Sequence, residues 1–425
     1  MPSPRTAYQP APSTGPQEWH WTDPFRRFFN RKTRERSDWV NPLCMVLLGI
    51  IGVFFIHSAQ VYAGGSNWIK QLFFLAIGLC VYLVVSSINY KFFMEYAHWL
   101  YGASIALLLV VLSPLGTQAM GAQRWIDLGI ISLQPSELAK VTTLILCASL
   151  LARDRLGTVG DSIKLLLKLA VAVFVPIVLI FRQPDLGSSL VFPPMVFALL
   201  YVSNLSKTFF LTVLGIFLLG TMIVGADIFR YNQYLDREGL TPGESAQLNA
   251  YGSESLLPLR DYQRNRILSL VAPEKDPLGM SWNLRQSLIA IGSGGLLGKG
   301  YLNSVQAKLG YLPQAVAPND FIFSVLAEET GFLGGVFVIG LFAVLIINGL
   351  RIAGLSRDRF GMLLAVGASI ILLVHVFINI GMTIGLMPIT GLPLPFLSYG
   401  GSFVISCCIL QGLIQSVYRF RREFA

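Results

Sequence analysis

The sequence predicts an all-α polytopic membrane protein of about ten transmembrane helices, with a long extracytoplasmic loop between spans seven and eight. Three observations predict it. Of 425 residues, 54% are hydrophobic and 13% charged, and the mean hydropathy is +0.61, which leaves too little polar surface to wrap a water-soluble core. Apolar runs near the ~20 residues that a helix needs to cross a bilayer recur along the chain. Alternating those runs across a membrane gathers the basic residues on one side.

Residues 1–40 read as a disordered, basic tail. The first two dozen are rich in Pro, Ser, Thr and Gln without an apolar period. From Pro24 to Arg36, Phe25, Phe28 and Phe29 share a helical face among six basic residues. That pattern suits a short helix on an anionic leaflet, and equally a solvated stop signal that only fixes orientation. No short apolar core with a small-residue cleavage site is evident, so the first span is expected to be retained.

Apolar runs follow at about 41–61, 68–88, 94–114, 136–152, 163–181, 185–203 and 207–226, and, after the loop, at about 321–350, 360–386 and 399–418. Residues 41–226 thus hold spans one to seven, 227–320 the loop, 321–418 spans eight to ten and 419–425 a basic tail. With a cytoplasmic N-terminus, Lys91, Arg153, Arg155, Lys207, Arg351, Arg357, Arg359 and Arg419 all lie on the cytoplasmic side, and both termini with them. The net charge of +9 is then a topology signal rather than a nucleic-acid footprint. Trp125, Asp185, Asp276 and Pro393 face outward. The cysteines Cys44, Cys80, Cys147, Cys407 and Cys408 all sit in apolar runs, as small hydrophobes rather than a disulfide framework. The four histidines show no metal-ligand spacing.

The outward segments interrupt the apolar pattern. Ser136, after Pro135, is a candidate cap for the fourth span, and Glu137 and Lys140 share a helical face where they can pair. That pair either fixes helix packing or serves a polar cavity. Asp185, after Pro184, suits an N-cap, with Arg182 beside it as a candidate phosphate-binding cation. Residues 230–258 are a polar insert of no clear period. Arg260, Arg264 and Arg266 then precede the apolar Ile267–Val271, fitting an amphipathic surface helix with guanidinium groups toward phosphate oxygens, or a solvated face. Asp276 precedes Pro277 and taken alone is a turn initiator. Gly292–Gly300, with Lys299, lacks the spacing and the Ser or Thr of a nucleotide loop, so its glycines are expected to permit close backbone approach. Gly391–Ser402, including Ser398, breaks the helical pattern at membrane depth and must be buried in protein or line a cavity.

Gly121–Gly129 with Gln134-Pro135-Ser136-Glu137, Gln183-Pro184-Asp185-Leu186-Gly187, Asp276-Pro277-Leu278-Gly279, Ile289–Gly295 and Pro393–Ser402 resemble, in order and spacing over roughly residues 40–420, the SEDS family (shape, elongation, division, sporulation). The wording of Gly121–Gly129 and Asp261-Tyr262-Gln263-Arg264 resembles its elongation (RodA-like) branch more than its division (FtsW-like) branch. The resemblance implies a peptidoglycan glycosyltransferase that polymerises lipid II into glycan strands on the outer face of the bacterial inner membrane. It implies a class B penicillin-binding protein as partner, with other elongation-complex proteins. It places the family's essential loop carboxylate on Asp276 and its helix pair on Glu137 and Lys140. One motif departs: the family's Leu-Pro-Glu, one residue, His-Thr-Asp-Phe-Ile-Phe becomes Leu312 to Phe323 here, with Gln314 for the acid, no His-Thr pair and two extra residues. Asp320, Glu328 and Glu329 keep their places, and a buried ion pair or helix contact is expected of the two glutamates.

Joining two lipid-linked disaccharides requires a base at the attacking hydroxyl and positive charge at the departing pyrophosphate. Asp276 is the expected base. Arg124, Lys140, Arg182, Arg264 and Arg266, or a divalent cation (Mg or Mn), are candidates for the charge, and Glu137, Asp185, Lys299 and Ser398 for support. A single indicated carboxylate does not match the paired acids of glycoside hydrolysis. The alternatives are a lipid II flippase, against which the one-sided loop and the lack of an inverted repeat weigh, and a non-catalytic scaffold, in which Asp276→Asn would be harmless.

Overall fold

A computed structural model describes residues 37–119, 122–127, 129, 132–154, 159–253, 255, 257, 259–275, 280–313 and 316–421. The basic tail to residue 36, the predicted base Asp276 and Gln314 lie outside the described residues.

Helix α1 (Val40–Gln60) leads into α2 (Asn67–Ser87), the short α3 (Tyr90–Glu95) and α4 (Ala97–Leu112). Strands β1 (Thr117–Ala119), β2 (Ala122–Asp127) and β3 (Ser132–Leu133) form an antiparallel sheet in that order, with Thr117 opposite Trp125 and Ile126 opposite Leu133. The sheet is a departure from the all-helical expectation. Its polar segment is too short to bury a helix face, whereas β2 can satisfy its backbone against both neighbours.

Next come α5 (Pro135–Arg153), α6 (Val159–Arg182), the broken pair α7 (Leu186–Ser189) and α8 (Phe192–Val202), and α9 (Lys207–Glu238). Helix α5 starts on Pro135 with Gln134 as N-cap, so Ser136 is not the cap, and its buried hydroxyl has no partner among the described residues. Proline supplies a preset φ and lacks the N–H that a cap would satisfy, which explains the shifted start. The loop holds α10 (Pro242–Leu248), α11 (Asp261–Val271), α12 (Met280–Ser293) and α13 (Val305–Lys308), followed by α14 (Ile322–Leu355), α15 (Arg359–Thr383) and α16 (Gly401–Phe420).

Eight of these helices are long and apolar enough to cross a membrane, and α4 and the Leu186–Val202 segment are shorter apolar helices. The chain is a polytopic membrane protein. In α5, α15 and α16, 78% of the most apolar stretch is buried, which places them at the centre, whereas α9 has 0% of its stretch buried and stands at the edge. Small residues set the closest approaches: a Cβ on Gly78 would lie 2.7 Å from Cys408 Sγ, and one on Gly412 2.9 Å from Val85. Cys80 is exposed on an apolar helix, unlike the four buried cysteines, because its face of α2 is turned away from the bundle.

The loop builds its own small core. Helix α9 runs past the predicted end of span seven, and Ile228, Tyr231 and Leu235, at helical spacing, pack with Tyr251, Leu268 and Ala272. Residues 230–253 are therefore more regular than their polar composition predicts. A Thr241–Glu244 capping box starts α10 within this insert.

The glycine-rich 292–300 segment is a docking surface. Gly331 (φ 67°, ψ −165°) breaks α14, and Phe332 and Leu333 donate to Gly295 O (2.9 Å) and Leu296 O (3.2 Å). Lys299 and Gly300 donate in turn to Glu328 O (3.0 Å) and Glu329 O (2.9 Å). A Cβ on Gly298 would sit 2.2 Å from Glu329 O, so only glycine permits this backbone pairing.

Candidate active site

Four charged residues from distant parts of the sequence converge at one end of the bundle. Strand β2 carries Arg124, whose Nε donates to Gln183 O (3.2 Å) and whose Nη2 donates to Pro184 O, capping the carbonyls that end α6. Asp185 is buried as N-cap of α7, accepting from Ser188 N (3.1 Å), Ser188 Oγ (2.8 Å) and Gln134 Nε2 (3.3 Å). Helix α11 extends Arg266 to Thr390 O (Nη1, 2.9 Å), while its buried Nε finds no partner among the described residues. Asp320 ends the turn before α14, its backbone carbonyl held by Asn379 Nδ2 (2.9 Å) and its Oδ2 3.5 Å from where a Cβ on Gly391 would stand.

These groups act on one another. Part of Asp320 remains accessible, yet burial pushes its pKa up to about 6, with Arg266 and Arg124 pulling it down and Asp185 adding to the rise. Burial and the like charge of Arg124 push Arg266 down, while Tyr262, Asp185 and Asp320 hold it up. The result is a cluster of two cations and two carboxylates in which the buried Arg266 Nε has no partner among the described residues.

The wall beside it is the Gly391–Ser398 segment. Leu392, Leu394, Phe396 and Leu397 are buried, as irregular backbone at membrane depth requires. Ser398, itself buried, donates to Asn319 O and accepts from Leu394 N (2.7 Å), and Tyr399 N reaches Pro318 O (2.9 Å). Ser398 therefore ties this wall to the turn carrying Asp320.

Beneath the wall, Lys140 Nζ donates to Glu137 Oε1 (2.8 Å), with side chains only 2% and 3% exposed. It also donates to His375 Nε2 (3.0 Å), which leaves the ring proton on Nδ1, 3.3 Å from Pro393 O. Ser406 Oγ donates to Glu137 Oε2 (3.1 Å). The network joins α5, α15 and α16 to the wall. His375 carries no spacing signal in the sequence, because its partner Lys140 lies 235 residues away.

The structure places three other predicted residues as follows. Arg264 is fully buried: Nε donates to Asp227 Oδ2 (2.9 Å), Nη1 to Asp261 Oδ1 (3.1 Å) and Nη2 to Leu257 O (2.9 Å), and Tyr251 lies against its guanidinium at 4.9 Å. It holds the loop core rather than facing phosphate, because two acidic side chains draw it inward. Arg264→Ala takes the buried cation away from Asp227 and Asp261, leaving Asp261 Oδ2 with Ser245 Oγ (2.7 Å) and Tyr251 N (3.1 Å), and is expected to cost about 3 kcal/mol of loop stability. Earlier proteolysis within residues 239–260 than in the parent would register it. Lys299 pairs with Glu328 Oε1 (2.6 Å) and Ser293 Oγ (2.6 Å), and Glu328 also accepts from Ser304 Oγ (2.6 Å) and Val305 N (3.0 Å). Arg182 is exposed at the end of α6, with no ion pair among the described residues.

A family model described as a cell cycle protein, spanning FtsW, RodA and SpoVE, matches residues 38–423. The peptidoglycan glycosyltransferase MrdB of Escherichia coli K12 is 36% identical over 399 residues, covering 92% of this chain and 97% of its own. Among solved structures, the rod shape determining protein RodA of Thermus thermophilus aligns with a TM-score of 0.62 at 25% identity, covering 91% of this chain and 98% of that one. A chain from a peptidoglycan synthase complex that coordinates polymerization and crosslinking aligns with a TM-score of 0.70 at 27% identity, covering 92% and 99%.

Proposed function

The chain belongs to the SEDS family of FtsW, RodA and SpoVE, and on that premise we propose that the cluster of Arg124, Asp185, Arg266 and Asp320 lines an outward crevice where it polymerises lipid II into glycan strands. It is a peptidoglycan glycosyltransferase of cell-wall elongation and cell-shape maintenance, RodA-like in kind. The convergence of Arg124 and Arg266 beside an Arg266 Nε that has no partner among the described residues, on the helix that runs into the Pro273–Lys275 turn, carries the proposal about the site.

The chemistry follows from charge. As the acceptor hydroxyl attacks the anomeric carbon, negative charge grows on the departing pyrophosphate, and Arg266 and Arg124 are the cations positioned to receive it. Asp276, in the segment between the Pro273–Lys275 turn and α12, is proposed to take the hydroxyl proton. Glu137, Lys140 and His375 position the wall through Pro393 and do not touch substrate. Because α9 leaves its apolar face unburied, lipid tails can enter sideways from the bilayer.

Among the described residues no three His, Cys, Asp or Glu side chains converge to hold a metal, and Asp185 is occupied as a cap. A Mg²⁺ or Mn²⁺ ion is proposed only as a companion of the pyrophosphate, with phosphate oxygens and water as its main ligands. No step above depends on it. The proposed partner is a class B penicillin-binding protein that crosslinks the product, with other elongation-complex proteins; nucleic acid is not one. The proposed location is the bacterial inner membrane with both termini cytoplasmic, which the clustering of Arg153, Lys207, Arg351 and Arg419 supports.

The reading is tested by giving the purified chain, with its transpeptidase partner, fluorescent lipid II. Glycan polymer is expected, whereas lipid movement between leaflets without polymer would favour the flippase. A pH dependence is also expected. An ionised Asp320 repels an incoming pyrophosphate, so affinity for an unreactive lipid pyrophosphate, measured in EDTA, should rise as pH falls through about 6. Asp320→Asn should flatten that dependence at the tight end; an unchanged profile would assign the titration elsewhere.

A further inference from the structure

We propose that the opposite, basic end of the bundle holds a binding site for one anionic diacyl phospholipid of the cytoplasmic leaflet. The site is a groove of about 640 Å³ between α4, α5 and α6, and it rests on the membrane orientation proposed above. Lys164, Leu167, Lys168, Val171 and Val175 line it at helical spacing, so one face of α6 presents two cations and then an apolar strip. Leu165 and Leu169, turned the other way, are buried in the bundle. Leu146 and Leu150 of α5 form the facing wall.

The groove is built rather than incidental. Tyr101 closes its floor by donating to Ala172 O (3.0 Å), which joins α4 to α6. A Cβ on Gly102 would meet nothing within 4 Å, so the space beside α4 is open where another residue would begin to fill it. At the mouth stand Lys164 and Lys168 with His98, and among the described residues no acidic side chain lines the groove and neither lysine has an ion-pair partner. A phosphate headgroup complements that mouth.

Length selects the tail. From Lys164 to Val175 the helix rises about 16 Å at 1.5 Å per residue. That is about half of a ~30 Å hydrocarbon core, the depth of one leaflet. A single acyl chain fits it, while a longer isoprenoid chain would leave the groove before its end. Lysines that merely snorkel toward the interface need no groove beneath them.

The full-length chain, stripped of lipid in detergent, is offered phosphatidylglycerol or phosphatidylcholine of identical acyl chains, and retained lipid is counted by native mass spectrometry. One phosphatidylglycerol should be held at least ten-fold more tightly than phosphatidylcholine. Each lysine near an anionic headgroup is worth about five-fold, so Lys164→Gln with Lys168→Gln should remove that margin. Gly102→Leu should lose both lipids while melting as the parent does, since leucine favours the helix and meets no clash. Equal retention of the two lipids by the parent, or an unaltered margin in the lysine variant, would overturn the site. Displacement of phosphatidylglycerol by a polyprenyl phosphate would overturn the acyl-chain assignment.

Discussion

Lys140→Ala is expected to destabilise the protein by about 3–5 kcal/mol, enough to remove most of the folded population. The side chain is almost wholly enclosed, so among the described residues its removal leaves the Glu137 carboxylate with Ser406 Oγ as donor and takes from His375 Nε2 its donor. A carboxylate buried among α5, α15 and α16 without a countercharge is costly. Glu137→Gln combined with Lys140→Met replaces both charges by neutral groups of similar volume and should recover much of the loss. Thermal melting of the purified single and double variants checks this, and the coupling between the two positions should be of the same order as the single-variant loss. If Lys140→Ala melted with the parent, the pair would be dispensable for packing and the wall above it would need another support.

The reach of the network extends to the site. His375 Nδ1 bonds the carbonyl of Pro393, so a shift of the ring moves the segment that also meets Arg266 at Thr390 and Asp320 near Gly391. A loss of polymerising activity in Lys140→Ala therefore reports on geometry rather than on proton transfer.

The sequence makes the membrane scaffold legible because the bilayer imposes a length and a polarity on every crossing. The runs near 41–61 and 360–386 reappear as α1 and α15 with little adjustment. Lys140 and Glu137 are legible as a pair because three residues on a helix share a face, and Asp185 as a cap because Pro184 precedes it. Partners brought together by tertiary packing leave no such trace. Arg264 reads as a surface cation until Asp227, 37 residues upstream, is found against it. His375 and the 230–253 part of the insert escape a sequence reading for the same reason: their contacts are made across the fold. The misplaced cap at Ser136 is local, a choice between two adjacent polar residues that the proline start of α5 decided.

Asp276→Ala is expected to lower the polymerisation rate by about 10²- to 10⁴-fold, the usual contribution of a general base. The arginines of the crevice lie on β2 and α11, so binding of the pyrophosphate should survive the substitution. The loss should accordingly fall on kcat, with KM close to the parent's. The decisive measurement is chain growth from fluorescent lipid II by purified Asp276→Ala beside the parent, each with the same transpeptidase partner and matched lipid II occupancy. The account predicts lipid II bound by both and glycan strands from the parent alone; strands formed by Asp276→Ala at the parental rate would contradict it.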